Sequence, residues 1–252
     1  MSEQLSGATP NGPVSGFATL YPEVAQAGSL QRALQAAVDR AGYGFVVELT
    51  SSPGWRCVAA RAAAGGRSVN VLMAEQERCF SVDCWTDGVH MATGSTEDLA
   101  EVAGAMDSWL RAPRVRELVE QWPCLRTWEL AEAHERGEAV SVRWRQLRAA
   151  AVRRQDSALR ELVEAAFEQP RLRAFSPGRS MYWLTFSRRA APPICRDLPG
   201  VMSIGQGRYR VRFADGRLQE VDGAAQAVAV ILDGLPGDAV PPRDLVVPPA
   251  VG

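Results

Sequence analysis

The two halves of the chain carry the same sequence features in the same order. A Ser-Pro-Gly segment opens each half, at residues 52–55 and at residues 176–179. Strand-like sequence follows, then an Asp-Gly turn at residues 87–88 or 215–216, and then an amphipathic helix. This shared order predicts a duplicated unit in which a hairpin precedes a helix.

In the first half, the pattern predicts a helix followed by an antiparallel meander. Ser29 stands at the N-cap and Gly42 at the C-terminal position of a helix over residues 30–40. Ser95 and Asp98 have the spacing of a capping box before a second helix that ends near residue 110. Between the helices, apolar alternation predicts strands over residues 45–49, 55–62, 69–73, 79–85 and 89–92.

In the second half, strands are predicted over residues 181–186, 209–213 and 218–221, and Asp222 is predicted to cap the last helix. The segment between the halves has helical periodicity interrupted by Pro and Gly. The chain is therefore predicted to be an α+β protein of two related antiparallel sheet-plus-helix units joined by a helical insert. The predicted segments are a disordered N-terminus (1–20), a first β-meander/helix unit (21–112), a helical insert (113–172), a second β-hairpin/helix unit (173–236) and a Pro-rich tail (237–252).

Composition excludes several classes of function. The net charge of −1 gives no reason to expect a nucleic-acid partner or an anionic membrane partner. All 28 basic residues are Arg, so the chain has no Lys for a Schiff base, a pyridoxal-phosphate anchor or a phosphate-binding loop. The N-terminus lacks the pattern of a signal peptide, and no apolar run reaches the roughly 20 residues of a membrane span, so we expect a cytoplasmic protein.

The sequence predicts neither a metal site nor a cofactor. Its five Cys residues form no CxxC pair, and there are only two His residues. No Gly-rich phosphate loop stands between a strand and a helix, and GxSxG and HExxH are absent. Residues 134–138 resemble HExxH only loosely, because Gly137 would break the helix before a second ligand.

The helix that starts near Trp128 is the first candidate for acid–base chemistry. It carries Glu129 and His134, and a general base needs only a His or a carboxylate within hydrogen-bond reach of a substrate. Trp128 is a candidate for ligand binding beside them. The ordinary alternative is a solvated helix surface in which Trp128 belongs to the core.

Two further candidate sites lie on strands. Arg188 and Arg189 end a strand, and one of them could bind a carboxylate or phosphate with its planar fork; the alternative is an ion pair with an acid of the helical insert. Asp83 and Trp85 alternate with the apolar residues of their strand and would share the opposite sheet face. An acid beside an aromatic is a plausible ligand surface, although any one-sided antiparallel sheet has such a face.

Four segments of the chain carry a family resemblance: residues 48–55, 92–100, 127–135 and 181–188. They resemble an actinobacterial family of unknown function whose members are described only as natural-product biosynthesis proteins, and the resemblance extends over residues 21–236. It implies a soluble bacterial protein of specialised metabolism, with peptide-derived products as one candidate class, and it supplies no catalytic residue.

Three functional hypotheses follow. The first is an accessory or recognition protein that binds a pathway intermediate, a precursor peptide or a partner enzyme. The second is a tailoring enzyme of the same pathway with a His/carboxylate/Arg site and no nucleotide cofactor. The third is a structural partner whose insert mediates assembly, so the sequence leaves the oligomeric state open. An enzyme should bring His134 or Glu129 together with Arg188, Arg189 or Asp83 in one enclosed pocket.

Overall fold

The computed structural model describes residues 18–49, 58–111 and 114–241. The chain forms two compact units, and the division lies between Arg126 and Thr127, inside the predicted helical insert. The first unit comprises Met1–Thr86 and Ala92–Arg126. The second comprises Thr127–Gly252 and the short segment Asp87–Met91.

The first unit combines helices with an antiparallel sheet whose described strands follow the chain order β1 to β6. Every strand therefore lies beside its neighbours in sequence, as in a meander. The helices are α1 (Pro22–Ala27), α2 (Leu30–Ala41), α3 (Leu99–Leu110) and α4 (Val115–Gln121); the strands are β1 (Glu48–Leu49), β2 (Ala59–Ala64), β3 (Arg67–Met73), β4 (Phe80–Thr86), β5 (Val89–Thr96, of which residues 89–91 are assigned to the second unit) and β6 (Leu125–Arg126).

Local sequence explains the ends of α2 and the placement of α3. The Ser29 hydroxyl accepts a hydrogen bond from the Arg32 amide at 3.2 Å, and Gly42 ends α2 with a φ of +73°. Helix α3 packs against β2, β3 and β4 through one buried stripe. That stripe includes Val102, Ala103, Met106 and Trp109.

The second unit holds another antiparallel sheet, with the strand order β11-β10-β9-β8-β7. It too is a meander followed by a helix. The helices are α5 (Glu129–Arg136), α6 (Ala139–Arg153), α7 (Ser157–Glu168), α8 (Pro170–Arg173) and α9 (Ala224–Asp233); the strands are β7 (Ser176–Ser180), β8 (Trp183–Ser187), β9 (Gly200–Gly205), β10 (Arg208–Arg212) and β11 (Leu218–Asp222).

One face of the second sheet is covered by helices. Helix α9 packs on β9, β10 and β11 and also contacts α7. The indole of Trp144 on α6 lies in the same core, and its Nε1 donates to the carbonyl oxygens of Arg173 and Phe175 at 3.0 and 3.1 Å. Because Tyr209 and Val211 of β10 point into this core, the arginines between and beside them lie on the opposite, outer face of the sheet.

The predicted α+β class, with two antiparallel sheet-plus-helix units, is confirmed. The two Asp-Gly turns nevertheless differ in geometry. Asp87 and Gly88 both have positive φ, +48° and +79°, as a two-residue hairpin turn requires. At the second turn Gly216 has a φ of +85°, whereas Asp215 is not in the positive region, and Phe213 pairs with Arg217 across three loop residues. Common ancestry of the two units stays a prediction.

Three local predictions are wrong. Helix α3 is capped by the Asp98 side chain, which accepts from the Ala100 amide at 2.8 Å, because β5 continues through Thr96. Helix α9 starts after Gly223, whose φ of +79° suits glycine, and Asp222 ends β11 instead. Residues 176–180 form an edge strand, where a proline is tolerated, so the predicted strand over residues 181–186 starts too early.

Several predictions concern segments beyond the described residues. The Ser-Pro-Gly segment of the first half lies there, as do residues 1–17 of the predicted N-terminal segment and residues 242–252 of the predicted tail. Among the helices of residues 18–49, 58–111 and 114–241, none has the length and apolar character needed to span a membrane.

Candidate functional site

His134 lies near the C-terminal end of α5, which Gly137 ends with a φ of +71°. The side chain is buried, with 6% of its surface exposed. Burial and the nearby positive charge of Arg143 lower the pKa of His134 from 6.5 to about 4. The imidazole is therefore neutral at pH 7, and it is a weaker base than a general base working at that pH requires.

The two predicted catalytic carboxylates are held by side chains of their own units. Glu129 is exposed and forms an ion pair with Arg145 of α6. Asp83 lies in the middle of β4, where its Oδ1 accepts a hydrogen bond from the Thr93 hydroxyl at 2.7 Å. Both carboxylates therefore have a side-chain partner within the fold.

The two predicted ligand-binding tryptophans also have protein contacts. The Trp128 ring meets the His90 ring edge to face, with centroids 4.9 Å apart, inside the second unit. Trp85 is half-buried on the face of β4 opposite the core, as its alternation predicts, and its carbonyl accepts from Trp109 Nε1 at 3.2 Å.

Arg188 and Arg189 differ in their surroundings. Arg188 is half-buried, and its guanidinium lies 2.9 Å from a carboxylate oxygen of Asp197 and 3.6 Å from one of Asp238. Arg189 is exposed, and its backbone amide donates to the Ser187 hydroxyl at 3.0 Å. The sequence-based alternative of an ion pair holds for Arg188, but its partners come from a loop and from the segment after α9 rather than from the insert.

Sequence reasoning missed Arg143 of α6, whose charge acts on His134 and whose side chain binds the loop after β8. Arg143 of α6 acts electrostatically on His134, and its Nη2 donates to the Ala190 carbonyl at 2.9 Å. Ala190 directly follows the predicted arginine pair.

A signal for Arg143 does exist in the sequence. Along α6, residues at intervals of four lie on one face of the helix. The stripe of Ala139, Leu147 and Ala151 is packed in the core or against it, and Arg143 is its charged member. A lone arginine in an apolar helical stripe would have indicated a half-buried cation.

A second group of residues stands out at the tip of the β7–β8 hairpin. Met181 and Tyr182 form its two-residue turn, and 86% and 73% of their surfaces are exposed. Trp183 follows on the outer face of the sheet, and the guanidinium carbon of Arg212 lies 4.6 Å from its ring centroid. We call Met181, Tyr182, Trp183 and Arg212 the tip surface.

Gly200 gives the Trp183 ring its place on the sheet. A Cβ atom at Gly200 would lie 3.8 Å from the Trp183 ring and 3.2 Å from the Leu184 carbonyl, so a larger side chain would compete for this space. Gly200 is also the cross-strand partner of Arg212. Because Gly200 has no side chain, the indole of Trp183 can lie above this strand and contact Arg212.

Two grooves lie elsewhere on the described surface, and neither is lined by a predicted site residue. The larger, of about 550 Å³, lies at the turn between α6 and α7 and is bordered by Val152, Gln155, Arg160 and Glu161, among others. The other, of about 420 Å³, lies between α1, α2 and the start of α3 and is bordered by several alanines and by Glu23, Arg40, Arg78 and Asp98, among others.

Within residues 18–49, 58–111 and 114–241, no three His, Cys, Asp or Glu side chains lie close enough together to hold a metal ion. Cys79, Cys84, Cys124 and Cys195 are free thiols.

The fold is that of an α+β protein with two antiparallel meanders. Part of the chain also matches a known protein family. Residues 138–244 match the model of a family of unknown function (DUF6193). This match covers less than half of the chain, from the start of α6 to just beyond α9, and includes Arg143 and the whole tip surface. No curated protein and no solved structure matches the chain.

Proposed function

We propose that this chain is a cytoplasmic accessory protein of bacterial natural-product biosynthesis that recognises a polypeptide, either a precursor peptide or a partner enzyme. The resemblance to actinobacterial natural-product biosynthesis proteins supports the pathway class. The tip surface supports recognition as the role, and it is the observation on which the proposal rests.

Met181 is the first argument for recognition. Its φ of +55° is a conformation that glycine or asparagine adopts easily and that strains other residues by about 1 kcal/mol. A methionine here gains no core contact in return, because 86% of its surface is exposed. Backbone strain without a folding benefit is typical of positions that serve binding.

The composition and shape of the tip surface are the second argument. Tyrosine, tryptophan, arginine and methionine are the residues most enriched at protein interfaces. A two-residue hairpin turn is convex, whereas small molecules are bound in concave pockets. A polypeptide therefore fits this surface better than a small pathway intermediate does.

The contacts of three predicted catalytic residues and of the predicted ligand-binding residue Arg188 are the third argument. Glu129, Asp83 and Arg188 are each engaged by side chains within the fold, and the low pKa of His134 weakens it as a base. A catalytic acid or base must instead reach a substrate.

The second candidate is a tailoring enzyme of the same pathway that uses a His/carboxylate/Arg site and no nucleotide cofactor. The electrostatic effect of Arg143 on His134 favours it, because a neutral imidazole and a guanidinium near each other can both hydrogen-bond to one bound substrate. Its weakness is that, within residues 18–49, 58–111 and 114–241, neither side chain has a carboxylate partner.

Deletion of the gene in a producing strain, followed by metabolite profiling, separates the two candidates. The recognition role predicts a general loss of product, with no discrete unmodified intermediate. Complementation of the deletion strain with a Tyr182→Ser, Trp183→Ser double variant should fail to restore product. Complementation with an Arg145→Gln variant, which changes the surface of α6, should restore it. Accumulation of one unmodified intermediate in the deletion strain would instead support the enzyme.

A further inference from the structure

Strands β10 and β11 carry three cross-strand pairs on the outer face of the second sheet, because these residues alternate with buried ones along each strand. In each pair an arginine of β10 lies opposite a residue of β11, and two of these residues are acids. The pairs are Arg208–Asp222, Arg210–Glu220 and Arg212–Leu218. The third arginine therefore lies opposite an apolar residue at the position where its neighbours have an acid.

Apolar side chains lie on both sides of Arg212. On the β11 side, 54% of the surface of Leu218 is exposed. On the β8 side, the Trp183 ring contacts the guanidinium, and the exposed Met181 and Tyr182 of the tip surface directly precede Trp183. Exposed apolar groups gathered around one charged group are typical of a binding surface.

The charge of Arg212 is not balanced by this fold. Glu220 binds both Arg208 and Arg210, at 3.3 and 2.6 Å, whereas in the described part of the chain no carboxylate lies within ion-pair distance of Arg212. A solvated arginine of this kind costs the folded state little, because surface ion pairs contribute at most about 1 kcal/mol. The position is therefore open to an acid supplied by a partner.

We infer that the tip surface and Leu218 together bind an acidic segment of a polypeptide, whose carboxylate reaches Arg212 while neighbouring apolar side chains cover Trp183 and Leu218. The inference rests on the proposed recognition role and specifies its partner. The planar fork of arginine suits a carboxylate. In an extended segment alternate side chains lie on one side, about 7 Å apart, so one segment presents apolar, acidic and apolar groups in turn.

A single-stranded nucleic acid is the other polymer that combines negative charge with flat groups. It is bound by several cations that follow its backbone and by aromatic rings on which its bases stack. On this face Glu220 engages two of the three arginines of β10, and the exposed Leu218 and Met181 are not aromatic. The surface therefore suits an acidic polypeptide better.

Selection from a displayed library of random peptides of about ten residues, with the full chain as the target, tests the inference without a known partner. We expect the wild type to enrich peptides in which Asp or Glu stands between apolar residues. The best peptide is then labelled, together with an amide version in which Asn and Gln replace its acids. Fluorescence polarisation should show at least about tenfold weaker binding of the amide version.

Two variants probe the position of the acid from opposite sides. Arg212→Gln should bind the acidic peptide at least about tenfold more weakly than the wild type, and no better than it binds the amide version. Leu218→Glu supplies an acid opposite Arg212, as in the two neighbouring pairs, so it should compete with the peptide and weaken its binding by a similar factor. Because Leu218 is exposed, this second variant tests the inference even if Arg212→Gln does not fold.

The matched control for Leu218→Glu is Leu218→Gln, which should weaken binding less because it adds no charge. Arg217→Gln lies outside the tip surface and should bind like the wild type. The inference is overturned if the library yields neutral or basic peptides, if both Leu218 variants bind alike, or if a single-stranded oligothymidylate displaces the peptide.

Failure of the recognition role itself has a different readout. Neutral peptides that bind the wild type but not Trp183→Ser would overturn the preference for an acid and leave the recognition role intact. If every selected peptide binds Trp183→Ser as tightly as the wild type, or if no peptide is selected, the recognition role is contradicted as well.

Discussion

The guanidinium of Arg212 stacks on the indole of Trp183, with its carbon 4.6 Å from the ring centroid. Its neighbours on β10 behave differently, because Arg208 and Arg210 both bind Glu220 of β11. Arg212 is exposed and has no acidic partner among the described residues. The guanidinium of Arg212 thus contacts the Trp183 ring while its charge stays accessible to a partner.

Replacing Arg212 should therefore affect recognition more than stability. For Arg212→Gln we expect a change of at most about 1 kcal/mol in the free energy of unfolding, since exposed cation–π pairs contribute little. Binding to the polypeptide partner should weaken by about 2 kcal/mol, as at an interface hot spot. Urea denaturation and complementation of the deletion strain measure the two effects.

Arg217→Gln is the matched control for this prediction. Its guanidinium also stacks on an aromatic ring of the same unit, 3.7 Å from the centroid of Phe213, but it lies outside the tip surface. It should leave product formation intact. If both variants lost product equally, the effect could not be assigned to the tip surface. That result would contradict the proposal that Arg212 contributes to recognition.

Met181→Asn should stabilise the protein while impairing its function. Asparagine tolerates the φ of +55° better than methionine does, so the free energy of unfolding should rise by about 0.5–1 kcal/mol. The exposed methionine side chain is lost, so complementation of the deletion strain should fall. Thermal and urea unfolding give the first quantity, and product titre gives the second.

Tyr182→Asn provides the comparison, since Tyr182 is similarly exposed and does not have a positive φ. Its effect on the free energy of unfolding should stay within about 0.5 kcal/mol. If Met181→Asn proves no more stable than the wild type, the strain argument for a binding role at this position fails.

The sequence predicted those elements whose signals are local. Gly42 and Gly137 end helices with the expected positive φ, and the Asp87-Gly88 hairpin lies where it was predicted. Errors arose where a distant strand decided the outcome. Strand β5 pairs with β6 at Thr93 and Gly94 and continues through Thr96. Ser95 is therefore part of the strand, and the N-cap of α3 is Asp98 instead.

The candidate site was harder to predict, because its contacts join segments far apart in sequence. The carbonyl that Arg143 binds lies 47 residues away, and no local pattern specifies such a pair. Glu129 and Asp83 were chosen for their chemistry, yet Arg145 and Thr93 engage them in the fold. Side-chain chemistry alone does not tell which partner a carboxylate has in the fold.

His134 should make the protein less stable in acid. Its pKa is about 4 in the folded protein and near 6.5 when unfolded, so between these values the unfolded state binds more protons. The contribution of His134 to stability is complete above pH 6.5 and is lost as the pH falls towards 4. Allowing for partial solvent screening, we expect a loss on the order of 1–2 kcal/mol.

Urea denaturation from pH 7.5 to pH 4 measures this dependence, and His134→Gln supplies the comparison. The variant should lose less stability over that range than the wild type, whatever its stability at pH 7.5. Parallel curves for the two proteins would contradict the assignment, because the acid sensitivity would then come from other groups.

Gly94 should be among the least replaceable residues of the first unit. A Cβ atom there would lie 2.0 Å from the Cys124 carbonyl oxygen and 2.8 Å from the Leu125 Cα, and both are backbone atoms that cannot turn aside. Gly94→Ala should therefore force β5 and β6 apart, at a cost of about 2–3 kcal/mol. Gly44→Ala is the control, because a Cβ at Gly44 meets nothing within 4 Å. Urea denaturation should show a large loss for the first variant and a change within about 0.5 kcal/mol for the second; similar values for both would mean that β6 does not pack against Gly94 as closely as described.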